Sequence, residues 1–209
     1  MSCTDSPQSN GTMKKFTSLS LSHYLEELSS TKPVPGGGSV SAYVASLAIG
    51  LAEMAAQIGM KKVPEESKPT VQKALKVLAK AKKDALQVVD LDPEVYEQVL
   101  KSYADAKKLS DDEAKNRLTD EALENSFRLQ ADLAFLVALA KESVQSFEGL
   151  IKGSIQNDLH ISAKLLEAAW YGAYHTARIN GVYLKNPQKK NRAEQALEEL
   201  RKRFGIDNV

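Results

Sequence analysis

The chain has a single cysteine, Cys3, so no disulfide can close within it and no cysteine metal framework can form; a reducing, cytoplasmic setting is expected. It has no excess of either charge: 28 Lys and Arg stand against 27 Asp and Glu, a balance that withholds the single-sign field used to grip nucleic acid. Sustained alternation of Val, Ile and Thr with polar residues is missing, which removes strands from the reading. Aromatic residues make up 6%, with 7 Pro and 11 Gly; the bulk is Ala, Leu, Lys and Glu, the composition of a helical protein. The opening MSCTDSPQSNGT lacks the charged and apolar regions of a secretory signal. Residues 1–14 read as a disordered extension, and 15–209 as one helical domain.

The helical periods are regular. Leu21, Tyr24, Leu25 and Leu28 form a short amphipathic turn that Ser20 can cap. Residues 39–59 are apolar nearly all round, which means burial in a bundle or in lipid; Glu53 and Gln57 inside the stretch favour burial, so no membrane association is expected. A third period runs from Val71 to Val89. Asp90-Leu-Asp92-Pro93 then reads as a break, with Asp92 the N-cap and Pro93 the first residue of a new helix. Ser110 to Glu113 forms a capping box before a long stretch reaching about Phe147, Asn157-Asp158 can cap the next helix, and the last, from Lys189 to Phe204, stops at Gly205. The expectation is an all-α bundle of six to seven helices.

Few residues can carry chemistry. His23, His160 and His175 lie in unrelated segments without metal-ligand spacing, so no metal site is expected. Gly36-Gly37-Gly38-Ser39 leads into a helix N-terminus, where free N–H groups favour an anion; a tight turn before a buried helix explains the same residues equally well. Asp90, Asp92 and Asp158 are the candidate carboxylates, with capping the competing role for Asp92 and Asp158. Glu53, within an apolar helix, calls for a partner such as Arg178 or a lysine.

Three segments in order, PGGGSVSAYVASLAIGLAEMAAQI, VVDLDPEVYEQVLKSY and NDLHISAKLLEAAWYGAYHTARIN, resemble the cyclodeaminase/cyclohydrolase family of folate one-carbon enzymes from about Leu19 to Asn180. The resemblance implies an all-helical, dimeric enzyme working at the bridge between N5 and N10 of tetrahydrofolate. Such an enzyme either closes 5-formiminotetrahydrofolate to the 5,10-methenyl compound with loss of ammonia, or opens the latter with water to 10-formyltetrahydrofolate. It implies a folate substrate, no permanently bound cofactor and a homodimer. By position it points to Asp92 as the main acid/base with Asp90 nearby, and to Asp158 as holding the pterin or a water. Gly36, Gly37, Gly38, Ser39 and Asn180 would contact the folate, and Lys61 and Lys62 would meet its glutamate carboxylates. A helical folate-binding or scaffold protein without turnover is the competing reading.

Overall fold

The computed structural model describes residues 15–205; the expected N-terminal extension lies outside the described residues. Six helices account for most of them: α1 (Leu21–Leu28), α2 (Gly37–Gly59), α3 (Lys68–Ala106), α4 (Asp112–Gln145), α5 (Gln156–Tyr183) and α6 (Pro187–Phe204), with short 3-10 turns between. Among the described residues there is no strand, and the all-α expectation holds.

Helix boundaries follow side-chain caps. Ser20 accepts the His23 N–H at 3.3 Å, and Asp111, not Ser110, caps α4 by accepting from Glu113 and Ala114. Asn186 caps α6, and Gly205, at φ 79°, ends it. Two expectations are corrected. There is no break at Asp90–Pro93, because α3 runs through it for 39 residues. Asp158 is not an N-cap; it lies inside the first turn of α5, which follows Ile155 without a side-chain cap.

Helices α2 to α5 form an antiparallel four-helix bundle in which α2 packs between α3 and α5, and α4 closes the square from the opposite corner. The small residues of α2 allow this: Ala42, Ala45, Ala48, Ala52, Ala55 and Ala56 are all fully buried, and Ser162 on α5 donates to the Ala48 carbonyl at 2.7 Å. Helix α2 with its following turn is long and apolar enough to cross a membrane, yet 61% of its apolar stretch is buried in the bundle. Glu53 has its partner, a salt bridge from Lys82 on α3. Helix α6 docks on α4 and α5 through Trp170, whose ring stacks on Phe204 at 4.6 Å and on Tyr174 at 4.8 Å. Buried Asp120 on α4 fixes the α5–α6 turn by accepting from the Lys185 and Asn186 N–H groups, each at 2.7 Å. Neither partner is near it in sequence.

Unequal helix lengths open one corner of the square. Helix α2 is about 34 Å long at 1.5 Å per residue and α3 about 58 Å. Gly37 sits level with Thr176, and Ser39 with Asp92. Beyond that level α3, α4 and α5 continue without α2 between them.

Candidate active site

A helix that begins on glycines has no side chain with which to cap its own first N–H groups. Helix α2 is capped from elsewhere: Asp92 Oδ2, in the middle of α3, accepts the Ser39 N–H at 2.9 Å, the bond an N-cap residue makes to the third residue of its own helix. Asp92 Oδ1 accepts from Gln130 Nε2 of α4 at 2.7 Å. The sequence assigned Asp92 a capping role, and the structure gives it one toward a different helix.

Ser39 makes the uninterrupted α3 possible. Pro93 has no N–H, so the Val89 carbonyl loses its helical donor. The Ser39 hydroxyl donates to that carbonyl at 2.9 Å. With that proton committed, the 3.2 Å contact between the Tyr24 hydroxyl and Ser39 Oγ has Tyr24 as donor. Four helices, α1 to α4, therefore converge on one serine and one aspartate. Gly38 packs so closely that an added Cβ would overlap Asp92 Oδ1 and Gln130 Nε2, so no larger residue fits while Asp92 keeps its place.

Burial pushes the Asp92 carboxyl above the usual carboxylate range, outweighing the hydrogen bonds from Ser39 and Gln130 that favour the ionised form. A partly buried acid with a raised pKa, set at the positive end of a helix, is poised to take up and return a proton. It opens on a cleft of about 220 Å³, lined by Pro33, Val34, Gly36, Gly37, Gly38, Asp92, Tyr96, Ser126, Thr176, Ile179 and Asn180. Asn180 donates to Ser126 Oγ and to the Thr176 carbonyl, both at 2.9 Å, leaving its amide oxygen available. No lysine, arginine or histidine lines this cleft.

The open corner of the bundle carries the cleft onward. Tyr96, Leu100 and Tyr103 share one face of α3, and Ile179 and Tyr183 lie across from them on α5; all five are substantially exposed. About 16 Å along α3 from Asp92 a second cavity, of about 360 Å³, is lined by Tyr103, Lys107, Lys115 and Lys185 among others.

Of the sequence candidates, the structure brings Asp92, Gly36, Gly37, Gly38, Ser39 and Asn180 together. It does not bring in the rest. Asp90 points to the other side of α3, where its two oxygens clamp Thr17, accepting from the N–H at 3.0 Å and from the hydroxyl at 2.6 Å. Asp158 lies about 27 Å along α5 from Thr176, at the far end of the bundle, since their eighteen-residue separation is fixed by the helix rise. Lys61 and Lys62 follow the C-terminus of α2, one full helix length from Gly37. His175 stacks on Tyr171 at the surface, and the described residues contain no metal-binding cluster of acids, histidines or cysteines. Sequence reasoning missed Gln130, Ser126 and Thr176. The available signal was that Ser126 and Gln130 interrupt the buried stripe of α4 with polar groups, and a buried polar group needs a partner.

A sequence model described as formiminotransferase-cyclodeaminase matches residues 20–199. The chain belongs to the formiminotransferase-cyclodeaminase family. Among its relatives are the formimidoyltransferase-cyclodeaminases of Gallus gallus, 25% identical over 90% of this chain and 35% of that protein, and of Mus musculus, 25% identical over 82% and 32%. The chain thus spans about a third of those proteins. In structure it is similar to formiminotetrahydrofolate cyclodeaminase from Thermotoga maritima, with a TM-score of 0.80 and 22% identity, covering 90% of this chain and 91% of that one.

Proposed function

We propose that the protein is a folate one-carbon enzyme that acts on the N5–N10 bridge of tetrahydrofolate, with Asp92 as the acid/base. The observation that carries this reading is the Asp92 carboxyl itself: partly buried, raised in pKa, and held by Ser39 and Gln130 at the head of a cleft beside the α2 N-terminus.

One carboxylate is enough for either reaction. In cyclodeamination, N10 attacks the carbon of the protonated formimino group and a tetrahedral carbon forms between N5, N10 and the resulting NH2 group. Asp92 removes the N10 proton and passes it to that nitrogen, which leaves as ammonia, and the 5,10-methenyl bridge closes. In the hydrolytic direction water adds to the methenyl cation, Asp92 takes one water proton and returns it to N5 as the C–N5 bond breaks, the remaining hydroxyl proton is lost to solvent as that oxygen becomes the formyl carbonyl, and 10-formyltetrahydrofolate results. In both cases the group must pick up and release one proton, the task for which a carboxyl with a raised pKa is suited. The Gly37 and Gly38 N–H groups and the Asn180 amide then orient the pterin side. The aromatic faces of Tyr96 and Tyr103 suit the p-aminobenzoyl ring. A cytoplasmic location fits a soluble folate substrate.

The test is ultraviolet absorbance with both folates side by side. The expected result is conversion of 5-formiminotetrahydrofolate or of the 5,10-methenyl compound above the spontaneous rate, abolished by Asp92→Asn. No rate above background with either compound would overturn the proposal. Calorimetric binding of folate without turnover would mark the protein instead as a binding module.

A further inference from the structure

Of the two groups that hold Asp92, one is fixed and the other is not. The Ser39 N–H belongs to the backbone and only donates, so Oδ2 stays an acceptor whatever the charge on the carboxyl. A proton taken up by Asp92 therefore goes to Oδ1, the oxygen beside Gly38 in the cleft and 2.7 Å from Gln130 Nε2. Gln130 is fully buried on α4, and its other amide atom, Oε1, is buried without a hydrogen-bond partner. A glutamine carries a donor and an acceptor on one planar group, and a half-turn about its last carbon–carbon bond exchanges them within the same space. Here only the bond to Asp92 sets which of the two faces the carboxyl.

We propose that Gln130 is a positioning residue that turns with the proton on Asp92: Nε2 donates to Oδ1 while the carboxyl is ionised, and Oε1 accepts from the Oδ1 hydroxyl once it is protonated. The proposal rests on the reading of Asp92 as the acid/base. The proton comes from N10 or from water and returns to the leaving nitrogen, and Gln130 neither gains nor loses one.

A buried amide is ordinarily satisfied at both ends, and an apolar side chain here would avoid the unpaired Oε1, so the glutamine is explained by what it does for Asp92. In either orientation one end of the amide lacks a partner, so no bond elsewhere resists the turn. Gly38 packs against both Nε2 and Asp92 Oδ1, which leaves no room for the amide to swing away, and rotation in place is the motion left to it. Burial already favours the neutral form of Asp92, so that form needs a partner as much as the ionised one does. An acid/base is charged and neutral in turn, and a neighbour that serves both forms keeps it in place through the cycle.

Few other titratable groups face the pair. Tyr24 of α1 reaches Ser39, Tyr43 of α2 stacks on Tyr24, and Tyr96 of α3 lines the cleft. Asp120 of α4 lies about 15 Å along the helix from Gln130 and is taken up by two backbone N–H groups, and Asp90 faces Thr17 on the other side of α3. Helix α5 contributes only Thr176, Ile179 and Asn180 to the cleft. Phenols titrate at about 10, so a change of charge beside Gln130 below that range belongs to Asp92.

Titration of the full chain, labelled with 15N in its glutamine side chains, tests this by nuclear magnetic resonance without substrate. The Gln130 amide protons are identified by their loss in Gln130→Met. With Asp92 ionised, the proton bonded to the carboxylate should lie well downfield of its position in a free amide, and it should return to that position as Asp92 is protonated. In Asp92→Asn, where Gln130 accepts, the downfield proton should be absent at every pH. One that persists through the titration would overturn the proposal. Activity gives a second readout. Gln130→Met, of similar size with neither donor nor acceptor, should lower kcat/KM by about tenfold or more. In Gln130→Glu a neutral carboxyl again offers one donor and one acceptor, so activity should return in acid and fall as the second proton of the pair leaves, giving a bell-shaped pH profile. Unchanged kcat/KM in Gln130→Met, or a Gln130→Glu profile of wild-type shape, would also overturn it. If neither folate is turned over, the folate reading fails, and the amide titration alone decides whether Gln130 follows the Asp92 proton.

Discussion

The two ends of α2 use one device for opposite purposes. At each end a glycine lets another element come closer than any side chain would allow. At the C-terminal end Gly59 meets Ile151, whose Cγ2 would lie 2.7 Å from an added Cβ; the contact is apolar on both sides and does nothing but pack. At the N-terminal end Gly38 meets Asp92 and Gln130, and the space saved admits a carboxyl group and a cleft. The lesson is that a glycine at close approach says nothing about function until the neighbour is known. Pro-Gly-Gly-Gly is conspicuous in the sequence, whereas Gly59 is not.

Substitution separates the two ends most sharply through activity. Gly38→Ala should displace Asp92 and lower kcat/KM by about a hundredfold or more, the cost of misplacing an acid/base group. Gly59→Ala should leave kcat/KM unchanged and cost about 1–3 kcal/mol of stability by overpacking, read from urea unfolding. Equal loss of activity in both would erase the distinction. Ser39→Ala is expected to come next. It leaves the buried Val89 carbonyl and the Tyr24 hydroxyl unpaired, at a cost of about 1–3 kcal/mol.

Asp92→Asn should move stability the other way. Because burial raises the native pKa of Asp92, the native state binds a proton more tightly than the unfolded chain, and its contribution to stability falls as pH rises from the ordinary carboxyl range through the raised native value. Ionisation of the buried carboxyl is a burden on the native state. The neutral amide removes it, and Gln130, whose buried Oε1 has no partner, can rotate to accept from the new amide nitrogen. The variant should be inactive and more stable by about 1–2 kcal/mol at pH 7, with the gain vanishing in acid. A destabilised variant at pH 7 would contradict this account. The smallest effect is expected of Asp90→Asn, which keeps a Thr17 contact and should alter kcat by less than about twofold while slightly loosening the N-terminal turn.

Local signals made most of the fold legible. Ser20, Asn186 and Gly205 close or open helices through atoms two to four residues away, and such pairs can be read along a chain. The apparent break at Asp90–Pro93 could not be read correctly in that way. A proline does interrupt an isolated helix, and what keeps α3 continuous is a hydroxyl fifty residues earlier in the sequence. The cleft was half legible for the same reason. Asp92, the glycines and Asn180 stood out by residue type and by family resemblance, but Gln130 and Ser126 lie within a long amphipathic helix and gain meaning only when α3 and α5 pack against them. Lys61 and Lys62 were given a role by the family resemblance alone, and within one chain a straight helix of 23 residues holds them apart from the glycines at its start.

The missing corner of the bundle has one more consequence. The room for a ligand is made by where a helix starts, not by a loop folding over it, so the dimensions of the binding groove are written in a count of residues. Moving the first glycine of α2 one turn earlier would advance a wall by about 5.4 Å and shorten the groove by the same amount. Capacity here changes in steps of a helical turn, and each such step also takes the Ser39 N–H from Asp92, so the length of the groove and the placement of the carboxyl are tied to the same residue count.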